Sequence, residues 1–199
     1  MCYAEIIKNG LVQPQDMGRF SEKIYTEAQR LITLVGDIIK LSRLDEENVE
    51  IEKTSVDLYM VASGVADRMK DVAKRGEVSI VLKGSPAVVV GTPQILDEMI
   101  FNLCDNAIKY NKPGGYVIMH VTNEAGHPVI SVEDNGIGIP QEEQERIFER
   151  FYRADKSHSR QIGGTGLGLS IVKHAAIYHK AKVEMVSVLG KGTKVKVIF

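Results

Sequence analysis

Cysteine is nearly absent from this chain of 199 residues, with Cys2 and Cys104 the whole supply. Two cysteines cannot build a disulfide framework, and neither stands at metal-ligand spacing from the other or from a histidine. The sequence is that of a protein for a reducing, cytosolic compartment. Net charge is lacking as well. With 25 Lys and Arg against 26 Asp and Glu the formal charge is -1, which supplies no overall positive field and disfavours nucleic acid as the main partner. No apolar run approaches the roughly 20 residues of a bilayer span. The opening stretch, Met1 to Lys8, has neither the basic flank nor the apolar core of a secretory signal.

What is present fits a folded globular chain, one ordinary domain or one domain with a small appendage: 44% hydrophobic and 26% charged residues. The anomaly is glycine. Several of the 18 glycines fall in two tight clusters that do not look like ordinary turns.

A helical pattern runs up to Glu46. Ile24, Leu31 and Ile38 recur every seven residues, flanked by Ala28, Leu34, Val35 and Leu41. Tyr3 to Leu11 reads as the end of another helix, stopped at Asn9-Gly10, with Pro14 and Gly18 in the connection. Such a hairpin has one long arm and one stub, and it cannot bury the stripe within itself. Dimerisation into a four-helix bundle is the expectation, with packing on the chain's own second part as the alternative.

From Val49 onward the pattern shifts to short strands and helices. Strands are expected near Val49 to Lys53, Val78 to Lys83, Ala87 to Gly91, Tyr116 to Asn123, Pro128 to Asp134, Lys182 to Val188 and Thr193 to Phe199. Helices are expected near Leu58 to Arg75, Pro93 to Tyr110, Gln141 to Phe148 and Leu167 to His179. The order implies an α+β sandwich with helices on one face of a largely antiparallel sheet.

Three segments carry candidate chemistry. Asn102 and Asn106 project from one helix face beside Lys109. Their amide oxygens are hard neutral ligands suited to Mg²⁺ held together with phosphates, and Lys109 can meet a phosphate as a point charge; a solvated polar face is the plain alternative. At a strand end, Asp134-Asn135-Gly136-Ile137-Gly138 lets a planar ligand approach the backbone while the carboxylate accepts from an exocyclic amine, or else it is a routine turn. Gly163-Gly164-Thr165-Gly166-Leu167-Gly168 runs into an apolar helix and offers free N–H groups at a positive helix end, a phosphate cradle. It matches neither the phosphate-loop pattern nor the dinucleotide fingerprint. Between the last two clusters, Phe148 to Arg153 supplies aromatics for core packing and Arg153 for a terminal phosphate, and the polar stretch from Arg153 to Gln161 looks like a lid.

In this order and spacing the segments resemble the N, G1, F and G2 boxes of the sensor histidine kinases of two-component signalling, with greatest similarity to the phosphate-regulon and cell-wall types. The resemblance implies a two-layer α/β sandwich of the histidine-kinase/gyrase-type ATP-binding fold over residues 47–199, preceded at 1–46 by a truncated dimerisation hairpin. It implies ATP and Mg²⁺ as cofactors, with Asn106 on the metal and Asn102, Lys109 and Arg153 as catalytic residues at the phosphates. Tyr110, Asp134, Gly136, Gly138, Ile139, Tyr152 and Thr193 would line the nucleotide. Gly164, Thr165, Gly166, Leu167, Gly168 and Leu169 would form the phosphate loop. None of His120, His127, His158, His174 and His179 lies in the Ser-His-Glu-Leu-type box that carries the family's phosphoacceptor. The resemblance thus implies a cytoplasmic fragment of a membrane receptor that binds ATP, pairs with a second copy, addresses a response regulator and does not phosphorylate itself. Alternatives from the same fold are an ATPase using Glu98 as base, a serine kinase of the anti-sigma type, and a nucleotide-sensing dimerisation module.

Overall fold

Apolar residues three and four apart give each main helix one buried face, and that face decides where the helix lies. In the computed structural model, which describes residues 3–45, 53–153 and 164–199, α3 (Leu58–Arg75) buries Leu58, Ala62, Val65, Ala66, Met69 and Ala73. Its N-terminus is capped by Asp57, whose Oδ1 accepts the Tyr59 N–H at 2.9 Å. Helix α4 (Pro93–Lys109) starts with proline at its first turn and buries Leu96, Met99, Ile100, Leu103, Cys104, Ala107 and Ile108. Helix α5 (Gly168–Tyr178) buries Ser170, Ile171, Val172, Ala175 and Ala176.

These helices cover one face of a five-stranded sheet in the order β2-β4-β5-β7-β6. The strands are β2 (Ser79–Gly84), β4 (Tyr116–Glu124), β5 (His127–Asp134), β6 (Lys182–Val188) and β7 (Gly192–Ile198). Only β2 and β4 run parallel; every other pair is antiparallel. Val117, Met119, Val121, Ile130, Val132, Val195 and Val197 point into the shared core. A two-residue turn at Ala125 and Gly126, both at positive φ, joins β4 to β5 and matches the twist of the strands. A separate pair, β1 (Thr54–Asp57) and β3 (Val88–Gly91), flanks the start of α3. The architecture is the α+β sandwich expected.

Two elements differ from expectation. The strand expected at Val49 to Lys53 falls largely outside the described residues, and the observed β1 begins at Thr54, where pairing with β3 buries Val56. The helix expected over Gln141 to Phe148 is instead two single 3-10 turns, Gln141–Glu143 and Arg146–Phe148. Four glutamates crowd residues 142–149 and neither turn has a buried residue, so no apolar face compensates the cost of starting a helix.

At the front, α1 (Tyr3–Lys8) ends in paired bonds from Gly10 N–H to Ile7 O and Leu11 N–H to Ile6 O, and it packs on the next helix through an edge contact of Tyr3 with Phe20. Helix α2 (Met17–Asp45) has 29 residues and is thus about 43 Å long. Leu34 and Leu41 turn inward on Leu167 and Ile171, whereas Leu31, Val35 and Ile38 stay 53%, 54% and 44% exposed. Among the described residues the flank of the stripe packs on the rest of the chain, while Leu31, Val35 and Ile38 remain exposed.

His179 ties the end of α5 to the small sheet. Its Nε2 accepts the Thr92 N–H at 3.1 Å, and Nδ1 lies 2.8 Å from the Ala175 carbonyl, an arrangement that needs the neutral ring. Burial holds its pKa below the ordinary value, against the pull of the Ala175 carbonyl and with help from the Lys53 ammonium. A histidine with a depressed folded pKa contributes stability that is complete above about pH 6.5 and is lost as pH falls toward the folded value. Thermal melts from pH 7.5 to 5 are therefore expected to fall more steeply for the wild type than for His179→Gln. Equal slopes would contradict this role.

Candidate functional site

Asn102 and Asn106 stand on the outer face of α4, one turn apart. Asn102 donates from Nδ2 to the Glu98 carbonyl at 2.9 Å. The first residue of α5 sits against this pair: a Cβ built on Gly168 would lie 3.0 Å from Asn102 Oδ1 and 3.5 Å from Asn106 Nδ2. The glycine cluster and the asparagine face, distant in the sequence, are thereby brought together. Among the described residues no group of three or more His, Cys, Asp or Glu is placed to hold a metal ion. An asparagine oxygen with ligand phosphates and waters is the donor set that suits Mg²⁺ here, and Asn106 fits it.

Lys109 pairs along its own helix. Its Nζ lies 2.5 Å from Asp105 Oδ2, an i,i+4 pair on the same helix. Tyr110 ends the helix, and its carbonyl accepts the Ile137 N–H at 3.0 Å, which docks the turn after β5 onto the end of α4. Its hydroxyl would be 3.6 Å from a Cβ on Gly164.

Asp134 closes β5. Its Oδ1 accepts the Gly136 N–H at 2.8 Å and the Thr193 N–H at 3.3 Å. Burial pushes its pKa up, opposed by these two donors, and the neighbouring Glu133 adds to the rise. The turn it begins admits no side chains at its glycines. A Cβ on Gly136 would sit 2.2 Å from the Tyr110 carbonyl oxygen, and one on Gly138, at φ +66°, would sit 2.1 Å from the Val188 carbonyl oxygen. Thr193 Oγ1 lies 2.8 Å from Ser187 Oγ, which also accepts the Ile139 N–H at 2.8 Å. Gln144 Nε2 donates to the carbonyls of Ile139 and Ser187, both at 3.0 Å. Ser187 and Gln144 were missed by the sequence reading. A serine in the half-buried row Val183, Met185, Ser187 of β6 was the available signal.

The glycine loop is held from two sides. Phe151 N–H donates to the Gly166 carbonyl at 3.0 Å, and Phe151 itself is 57% exposed with φ +63°, a conformation few bulky residues adopt. From the other side, Thr165 Oγ1 donates to Asp37 Oδ2 of α2 at 2.8 Å and accepts the Leu167 N–H at 3.3 Å. Leu167 is fully buried beside Leu41 and Ile171, and Leu169 packs at the edge of the main core. Lys40 of α2 forms an ion pair with Glu98. Tyr152 stacks under the Arg146 guanidinium at 4.2 Å, and the half-buried Arg153 follows it. Beyond Arg153, the stretch to Gln161 that is expected to form a lid lies outside the described residues, as do Gly163 and His158.

The sequence profile of the family described as histidine kinase-, DNA gyrase B-, and HSP90-like ATPase matches residues 91–199. The chain is 38% identical over 191 residues to the sensor-like histidine kinase SenX3 of Mycolicibacterium smegmatis, covering 96% of this chain and 50% of that protein. It is 33% identical over 198 residues to the sensor histidine kinase WalK of Bacillus subtilis, covering 97% of this chain and 32% of that protein. It thus spans half or less of these relatives. Among solved structures, the mycobacterial sensor histidine kinase MprB superposes with a TM-score of 0.64 at 28% identity, over 74% of this chain and 96% of that one. Histidine kinase ThkA, solved with the response regulator TrrA, shares the fold with a TM-score of 0.77 at 20% identity, over 99% of this chain and 55% of that one.

Proposed function

Because the chain belongs to the histidine kinase-, DNA gyrase B- and HSP90-like ATPase family, we propose that it is the ATP-binding catalytic region of a two-component sensor histidine kinase. It transfers the γ-phosphoryl group of ATP to a histidine, for relay to an aspartate on a response regulator. The observation that carries this reading is the convergence of three segments: the asparagine face of α4, the Asp134 turn docked on Tyr110, and the glycine start of α5.

In this reading Asp134 accepts from the adenine amino group, with Gly136, Gly138, Ile139, Tyr110 and Thr193 shaping the surroundings of the base. The first N–H groups of α5 and the loop at Gly164, Thr165 and Gly166 bind phosphate oxygens, where the helix end is positive. Asn106, assisted by Asn102, holds Mg²⁺, which neutralises charge on the phosphates. Lys109 exchanges Asp105 for a phosphate when the nucleotide arrives, and Arg153 approaches from the far side with Tyr152. Phosphoryl transfer needs positioning and charge compensation more than covalent help, and these residues supply both. Hydrolysis is the weaker reading. The residue one turn before Asn106 is an amide that cannot activate water, and the Glu98 carboxylate is held by Lys40.

The acceptor is none of the chain's own five histidines. Of these, His179 already uses both ring nitrogens, and His127 Nδ1 lies 2.8 Å from the Phe199 carbonyl. The exposed residues Leu31, Val35 and Ile38 of α2 are the surface for a second copy, and a response regulator is the onward partner. No helix among the described residues is long and apolar enough to cross a membrane. The assignment of this chain to the cytoplasmic side of a membrane receptor is part of the proposal.

Incubation with γ-labelled ATP and a separately supplied helical hairpin bearing the histidine box is expected to place acid-labile, alkali-stable label on the hairpin and none on this chain. Label on the chain itself, or release of phosphate to water alone, contradicts the proposal. Light scattering at micromolar concentration is expected to return twice the monomer mass, and a monomer would remove the pairing surface from the account.

A further inference from the structure

The five-stranded sheet has two outer strands, β2 and β6, and they close it differently. At β6 the Ser187 carbonyl already accepts from Gln144 Nε2 at 3.0 Å. At β2 the outer edge is open. Ser79 N–H donates to the Gly115 carbonyl at 3.0 Å and Ser85 N–H to the Val121 carbonyl at 3.2 Å, so the odd-numbered residues of this strand face β4. Strand alternation turns the N–H and C=O groups of Ile80 and Leu82 the other way. Among the described residues neither bonds to anything beyond the ladder. The register with β4 is unbroken over six residues and contains no proline, so neither device that commonly blunts an edge is present.

Beside this edge a groove of about 460 Å³ lies between β2 and α3. Val78 N–H bonds the Ala73 carbonyl at one end and Leu58 N–H bonds the Ala87 carbonyl at the other, both at 2.9 Å, so α3 runs back along β2. Half-buried Ile80 and Leu82 line the strand side, and the small Ala66 and Ala73 lie on the helix side. On the rim stand Lys70, Lys74 and Asp67, and Asp67 is paired with Lys70 at 2.7 Å. Lys74, beside the start of β2, has no ion-pair partner among the described residues. Open peptide groups over an apolar slot, with an unpaired cation at one end, are the complement of an extended chain. We propose that this groove takes an extended segment of a partner protein as a sixth strand, antiparallel to β2. The segment carries apolar side chains at alternate positions and a carboxylate at its C-terminal end, against Lys74. Antiparallel pairing is the more stable direction, and it brings that end to the start of β2. A second copy is the poorer occupant, because isologous pairing of two β2 edges brings together two rims of the same positive sign.

The test uses the whole chain and a short synthetic peptide that alternates valine with threonine and ends in two glutamates. Binding is followed by fluorescence anisotropy and by amide exchange in NMR, with circular dichroism melts as a folding control. Saturable binding is expected, with slowed exchange at the Ile80 and Leu82 N–H groups and no change at Val81 and Lys83, which already face β4. Moving the glutamates to the peptide's N-terminus is expected to weaken binding about fivefold, and Lys74→Glu to weaken the original peptide by a similar factor. Ser63→Trp, which fills the groove from its helix side, is expected to abolish binding. No saturable binding, or binding without slowed exchange at Ile80 and Leu82, overturns the proposal, as does undiminished binding by Ser63→Trp. If that variant does not fold, equal binding by Lys74→Glu and the wild type overturns it instead. Slow exchange at those two amides in the free chain, speeding up on dilution, places a second copy on the edge and overturns it as well.

Discussion

One carboxylate oxygen joins the two loops around which the candidate site is built. Asp134 Oδ1 accepts from Gly136 in the turn after β5 and from Thr193 at the start of β7. The turn then docks on α4 through the Ile137 bond to Tyr110, and on the β6–β7 connection through the bond from Gly190 N–H to the Ile137 carbonyl at 2.7 Å. The docking contacts are backbone against backbone, and Gly136, Gly138 and Gly192 leave no room for a methyl group there. The second carboxylate oxygen is thereby held in place; in the proposed reading it meets the ligand at little further cost in entropy.

The core beneath serves the same end. Helix α4 lies across the sheet by its buried Leu96, Met99, Ile100 and Leu103 face, which leaves Asn102 and Asn106 turned toward α5. The long arm α2 leans on α5 through Leu34 and Leu41 and touches the loop directly, where Asp37 receives the Thr165 hydroxyl. Helical arm and glycine loop are thus joined by a hydrogen bond and an apolar contact. The Lys40–Glu98 pair adds a contact to α4, of modest worth because both side chains remain partly exposed.

What was legible in the sequence was periodic or punctuated. Helix α3 has the expected bounds because its apolar spacing, an Asp57 cap and Gly76 all agree. The clusters at Asp134 and Gly164 to Gly168 were visible because glycine in such density answers to backbone contact. The segment 141–148 was misread because a run of glutamate and glutamine resembles a helix when its lack of a buried face is overlooked. Lys109 pairs with Asp105 one turn back on its own helix, a partner that the i,i+4 spacing already offered. Ser187 and Gln144 act through partners 43 and 48 residues away, on a register that only strand pairing reveals. The heptad stripe of α2 was legible as a stripe, yet among the described residues it is its flank, Leu34 and Leu41, that meets α5 and the residue before it.

Calorimetric titration of the chain with ATP, in the presence and absence of Mg²⁺ and repeated on Asp134→Ala, tests the central claim most directly. The account predicts one site, tighter with Mg²⁺, and a loss of affinity of about tenfold or more in the variant. No measurable binding by the wild type, or the same affinity in Asp134→Ala, would contradict it.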